Sequence, residues 1–384
     1  MTQRRKVNTS SESGGVLSDY SAASSIARNA QIAQLFLSAI DLAQMPDPTI
    51  LSRSLSLRSV ISTTSSFRKR FQLATKSPHL QEINQIGIGM QGAVFEQVGH
   101  PLVFKKEIPG NEHLSTNLRH EFTIHRAFLL HCRVWVPKPF QFIAQSQDHE
   151  FLQNTFSKLP QKYRVPSDVV KMERILPLPK VIRRALINQC YCHGKQLKNT
   201  EIESVLQDTA NKHCLARVYL GKKCGTFHPE TLLRNIPLYL DMMESVGIDT
   251  LGLATMMGKA YVILHWGAGV DGDDVELVLG SAATGSSSPD FQHREIRLDL
   301  LDFGQCTMVD FDQDPDIIYQ PFKGAMVTGD NQDFIPRPTS PALFTAFKEG
   351  YLETGNLVLA QKKETRLDLQ EFISQYEEYA EDFL

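Results

Sequence analysis

Apolar residues recur at helical spacing between 21 and 46, at Ile26, Ala30, Ala33, Phe36 and Ile40, which predicts a helix that Pro46 ends. Residues 1–20, rich in Ser, Thr and Gly, are expected to be disordered. From 52 to 76, SRSLSLRSVISTTSSFRKRFQLATK, serines intersperse with arginines, and the composition predicts a solvated linker. A phosphorylated segment, or a nuclear import signal at Arg68-Lys69-Arg70, is the alternative there. The pattern changes near 82. EINQIGIGMQGAVFEQVG and PLVFKKEI predict three short strands around two turns. STNLRHEFTIHRAFLLH then predicts a helix capped by Ser115, with Leu118, Phe122, His125 and Phe128 along one side. DVVKMERILPL predicts a strand closed by prolines, and IDTLGLATMMGKAYVILHW a largely apolar helix capped at Asp249. Two strands follow, DVELVLG and IRLDLLDFG, joined by the polar segment SAATGSSSPDFQHRE, expected to be a surface loop. The tail is mostly helical.

Strands thus dominate one half and helices the other, with Met172–Leu176 between them. The expected architecture is α+β in two lobes: an N-terminal extension over 1–81, a mainly β lobe over 82–176, and a mainly α lobe over 177–384 with a Ser/Gly-rich hairpin insertion near 281–295. Ligands commonly bind between such lobes.

Composition narrows the function classes. With 384 residues and 42% hydrophobic content the chain can bury a sizeable core. A net charge of −3 and scattered Lys and Arg argue against a nucleic-acid partner. No apolar stretch reaches bilayer length, so no membrane partner is expected, and the basic N-terminus lacks the apolar run of a secretory signal. The six cysteines read as reduced thiols of an intracellular protein, cytoplasmic or nuclear.

Several segments carry candidate chemistry. Gly87, Gly89 and Gly92, followed by Val94, form either a backbone cradle for phosphates or a plain hairpin turn. On the next strand, alternation puts Val103 and Lys105 on one face, Phe104 and Lys106 on the other, and either lysine could point inward. Glu121 follows Leu118 by three residues and can share its inward side. Asp302-Phe303-Gly304 ends an apolar strand, and HWGAGVDGDDVELVLG packs Asp271, Asp273, Asp274 and Glu276 into a short span suited to a cation.

In this order, from about Ile83 to Cys306, these segments resemble the protein kinase-like superfamily, which includes aminoglycoside and choline phosphotransferases. The resemblance implies a kinase-like fold, with ATP phosphates under Gly87, Gly89 and Gly92 and the purine between Val94 and Val103. Lys105 would reach the phosphates and pair with Glu121. Met172 and Glu173, at the junction of the lobes, would join the nucleotide-binding residues. Asp302 would hold Mg²⁺, Asp274 would replace the family's asparagine as a second magnesium ligand, and Asp271 would stand in as catalytic base. The sequence departs from the family where Gly267 occupies the usual position of the catalytic aspartate, and no Ala-Pro-Glu follows Gly304. Two outcomes are therefore open: a Mg-ATP-dependent phosphotransferase acting on an unknown small-molecule or protein acceptor, or a pseudokinase that binds nucleotide, or nothing, without turnover.

CLARVYLGKK, HWGAGVDGDDVELVLG and LLDFGQC also look like an uncharacterised fungal domain family whose members often carry the name "zinc finger protein". That makes a zinc-binding interaction protein the third reading. Its ligands would come from Cys190, Cys192, His193, His213, Cys214, Cys224 and His228, a set without two well-spaced pairs. Cys214, inside CLARVYL, reads as a core thiol.

Overall fold

A computed structural model describes residues 36–57, 59–63, 66–76, 83–89, 92–108, 118–129, 135–146, 150–191, 197–224, 232–284, 290–362 and 366–384. Residues 1–35, and with them the predicted disordered segment and most of the predicted first helix, lie outside these, as does Ser115.

Strands β1 (Phe36–Ser38) and β2 (Val60–Ser62) come first, with helix α1 (Asp47–Ser54) between them and α2 (Ser66–Lys76) after them. Next are β3 (Ile83–Ile88), β4 (Ala93–Gln97), β5 (Leu102–Lys106), helix α3 (Leu118–Leu129), β6 (Pro139–Ile143) and β7 (Val169–Glu173). These five strands form one sheet in the order β3-β4-β5-β7-β6, antiparallel throughout. Phe95, Phe104 and Val169 fill its outer face against Leu159 and Tyr163, with Phe95 and Phe104 stacked at 5.3 Å. Its other face turns toward the second lobe.

That lobe holds β8 (Ala216–Tyr219), β9 (Ile236–Tyr239), α4 (Thr250–Val262), β10 (Glu276–Thr284), β11 (Asp290–Leu301), α5 (Pro315–Met326), α6 (Pro341–Lys362) and α7 (Leu369–Phe383). Its helices and sheet share the larger core. Asp249 caps α4 as predicted, its carboxylate accepting from the Gly252 amide at 2.9 Å. α4 and α6 cross closely because Gly258 and Gly350 sit at the contact. A Cβ on Gly258 would overlap the Phe347 carbonyl, and one on Gly350 would overlap that of Thr255. The fold is therefore α+β in two lobes, mainly β first and mainly α second.

Three local expectations change. Residues 36–38 are a strand rather than the end of a helix, because they pair with β2 in parallel register, and tertiary pairing outweighs helical spacing. The Ser-rich segment 52–76 is not a bare linker. It holds the end of α1, β2 and α2, and Leu55, Ile61 and Phe67 within it are buried. The polar segment between β10 and β11 is not a loop along its length: the hairpin ladder runs out to Ala283–Arg294, and β2 pairs with β11 over His293–Glu295. Serines and charges here face a partner strand, so composition concealed the pairing.

The lobes are stitched at the end of β7, where Leu176 and Ser281 exchange backbone hydrogen bonds of 2.9 and 2.8 Å. Nearby, the Leu300 amide donates to the Trp135 carbonyl at 3.0 Å, and Asp299 lies buried beside it. Burial pushes the Asp299 carboxyl up from 3.8 to about 7, against the pull of Arg297. Its Oδ2 has no hydrogen-bond partner among the described residues. The unfolded chain releases this proton near pH 4 and the folded chain only near 7, so the group costs stability as pH rises between those values. Asp299→Asn is expected to stabilise by about 2–4 kcal/mol at pH 8 and by less than half of that at pH 5. Urea titrations at both pH values check this, and an equal gain at the two would contradict it.

Candidate functional site

The cleft is organised by Lys105. The β5 alternation sends its side chain to the inner face, where Nζ donates to both Glu121 oxygens at 2.9 Å and to Asp302 Oδ1 at 3.0 Å. Lys106 points the other way, to the Val165 carbonyl at 2.7 Å and to Ser167 Oγ. The choice left open by alternation thus falls to Lys105, and Val103 faces the cleft with it. Burial works against the Lys105 charge, but the two carboxylates outweigh it and hold its pKa above the ordinary lysine range. Burial brings Lys106, by contrast, down to about 8.

Glu121 is held in place by what α3 packs on. Phe303 is fully buried beneath that helix, with ring centroids 4.7 Å from His125 and 5.6 Å from Phe128. His120, one residue before Glu121, is hydrogen-bonded to the Cys306 carbonyl at 2.7 Å. Helix α3 is therefore clamped to the segment that carries Asp302, and Glu121, Lys105 and Asp302 meet as a consequence. Cys306 and Trp266 are buried in the larger core.

A cavity of about 180 Å³ has Gly87, Ile88, Val94, Val103, Met172 and Leu301 in its wall, so the strands that carry Lys105 and lead to Asp302 also line it. Glu173 and Asn235 also border it, and among the described residues His213 is the only aromatic ring in its wall. Gly87 thus stands at the cavity. Gly89 closes the turn, its amide donating to the Gly92 carbonyl at 3.0 Å. Gly92 lies across β5, where a Cβ would come within 2.6 Å of the Lys106 carbonyl oxygen and 3.4 Å of Lys105 Cγ.

Three non-glycine residues among those described have positive φ: Asn235 at 50°, Asp274 at 55° and Asp302 at 65°. Left-handed backbone costs about 1–2 kcal/mol for a residue with a Cβ and concentrates at functional sites. Burial, and then the charge of Asp302, push the Asp274 carboxyl above its usual range, so the two acids sense one another. Glu276 rises to about 7 for the same reasons, opposed by Arg217, with which it pairs. Asp330 reaches the same arginine at 3.1 Å. Sequence reasoning missed Asn235, which borders the cavity, and Arg217 and Asp330, which join Glu276 in an ion cluster, since no motif marks them and only the fold assembles them.

Asp271 is placed differently. Its Oδ1 accepts from the Asp273 amide at 3.1 Å and the Thr307 amide at 2.9 Å, bracing the loop against the segment after Gly304. His265 supports the same loop: Nε2 lies 3.2 Å from the Asp271 carbonyl and Nδ1 2.8 Å from the Tyr351 hydroxyl. Burial holds this imidazole neutral, with a pKa of about 3.

Of the zinc candidates, Cys192, His193 and His228 and the side chain of Cys190 lie outside the described residues, and Cys214 is fully buried. Among the described residues no group of three or more His, Cys, Asp or Glu is arranged to hold a metal ion, and no helix is long and apolar enough to cross a membrane.

No family model and no curated protein matches the chain. Among solved structures it is similar to a microcompartment-associated aminopropanol kinase, at 14% identity over 81% of this chain and 94% of that one, with a TM-score of 0.25. A score that low carries no argument about the site.

Proposed function

We propose that this chain binds a purine nucleoside triphosphate with Mg²⁺ in the cleft between its lobes, as a kinase-like protein. The observation that carries the reading is Lys105 held between Glu121 and Asp302, with its strand neighbour Val94, Val103 on its own strand and Leu301 next to Asp302 all lining a mainly apolar cavity. The cavity, about 180 Å³, is smaller than a site for a whole drug-sized ligand and suits one flat base between Val94, Val103 and Leu301. The phosphates would extend toward Lys105, which meets them as a point charge. Mg²⁺ is commonly held by one or two carboxylates plus phosphate oxygens and water, so Asp274 and Asp302 suffice without a preformed three-ligand cage. Bound there, the ion would neutralise phosphate charge.

The loop favours binding over turnover: Gly267 carries no acid, and Asp271 spends one carboxylate oxygen on bracing. Phosphoryl transfer to an unknown acceptor is the second reading. It is favoured by the Asp271 carboxyl being raised by burial, the direction a general base needs.

Calorimetry with ATP, GTP and AMP, with and without Mg²⁺, tests the proposal. Binding of a triphosphate that needs Mg²⁺ and weakens at least tenfold in Asp302→Asn is expected, with Asp271→Asn within twofold of the parent. Flat traces with all three nucleotides would sink it. Release of γ-phosphate that disappears in both variants would establish the transfer reading instead.

A further inference from the structure

On the far side of the junction between the lobes, α2, the start of the second lobe and β11 enclose a second cavity of about 520 Å³. Its charge is one-sided. Arg70, Arg174, Lys180, Arg183, Lys212 and Arg294 line it, and Glu96 is the single carboxylate in its wall, with Lys180 paired outward to Glu203 at 2.9 Å. Three of the guanidinium groups surround one phenyl ring: Arg174, Arg294 and Arg70 lie 5.4, 5.7 and 6.0 Å from the centre of Phe67. Glu96 is already committed to Arg174. The Nε of Arg174, itself buried, has no hydrogen-bond partner among the described residues. The neighbouring groups respond to this crowding. Burial and the arginines Arg174, Arg234, Arg70 and Arg183 bring His213 down to about 3, and burial with Arg174, Arg70 and Arg183 brings Arg294 down to about 10.

Arg174 and Arg294 are buried and Arg183 is half-buried beneath an exposed basic rim, and holding these guanidinium groups together in a partly dry space is costly unless an anion joins them. Guanidinium groups match phosphate oxygens with paired, charge-assisted hydrogen bonds, and such bonds strengthen where water is excluded. One phosphate would neither offset this charge nor fill the volume.

We propose that this cavity is a second ligand site, built for a small, multiply phosphorylated anion. The proposal does not rest on the nucleotide reading. Arg174 and His213 border both cavities, so the test must separate the two sites. Arg70 and Lys212 are exposed at the rim and serve as probes that leave the core intact.

Calorimetry and thermal melting with inorganic tripolyphosphate, inositol hexakisphosphate and orthophosphate at 150 mM salt read the site. Tripolyphosphate or inositol hexakisphosphate is expected to bind at least tenfold more tightly than orthophosphate and to raise the melting temperature. Preference for the first assigns an inorganic chain, preference for the second a phosphorylated organic ring. Arg70→Glu/Lys212→Glu should weaken binding at least tenfold, and Lys212→Glu alone should weaken it in the same direction. Lys105→Met/Glu121→Gln, which disables the nucleotide cleft without leaving a buried carboxylate unpaired, should leave it within twofold. No binding by either polyanion, or unchanged affinity in Arg70→Glu/Lys212→Glu, overturns the proposal. Loss of polyanion binding in the folded Lys105→Met/Glu121→Gln variant would assign the anion to the nucleotide cleft and overturn it equally.

Discussion

Lys105→Met is expected to destabilise the protein by about 3–5 kcal/mol and to lower triphosphate affinity at least 100-fold. The stability loss does not come from lost packing, since methionine fills nearly the same volume. It comes from Glu121, whose side chain is only 5% exposed and would keep a buried carboxylate with its nearest cation gone. Removing one member of a buried ion pair costs several kcal/mol for this reason. Asp302, at 27% exposure, can turn to water and adds less. The double variant Lys105→Met/Glu121→Gln should therefore recover most of the loss in a urea titration while binding no better than the single one. A single-variant cost under about 1 kcal/mol would mean that the cluster is not what holds α3 in place. Unchanged nucleotide affinity would remove Lys105 from the proposed function altogether.

Phe303→Ala should act on the same site from below. The ring is fully buried against His125 and Phe128, so its truncation leaves a cavity at the contact between α3 and the second lobe. Phenylalanine-to-alanine changes in such positions cost about 3–5 kcal/mol. With its floor gone, α3 is expected to loosen. Glu121 then no longer positions Lys105, and nucleotide affinity should fall at least tenfold although no nucleotide-facing atom has changed. Phe303→Leu keeps most of the volume and should retain affinity within threefold. Hydrogen exchange over 118–129 provides the separate readout: faster exchange in Phe303→Ala and near-parental exchange in Phe303→Leu. Equal exchange in all three proteins would refute the role given to the ring.

The sequence by itself determined the elements whose signals are local. Apolar alternation marked β3, β4 and β5, helical spacing marked α3 and α4, and Asp249 stood where a cap belongs. The order of Gly87, Lys105, Glu121 and Asp302 was also legible, and the structure joins Lys105, Glu121 and Asp302 in one ion cluster while Gly87 lines the neighbouring cavity. What the sequence could not decide needed a partner far along the chain. Lys105 and Lys106 are equivalent on a strand until one of them meets Asp302, 197 residues on. Asp271 looks like a free acid until the Thr307 amide claims it, and the Ser-rich stretch looks like a linker until β11 pairs with β2. The arginines around Phe67 come from α2, the end of β7 and β11, so their concentration exists only once these elements pack. Periodicity reports a residue's own face of its own element. Charge neighbours and strand partners are set by how elements meet, and that is a property of the tertiary structure alone.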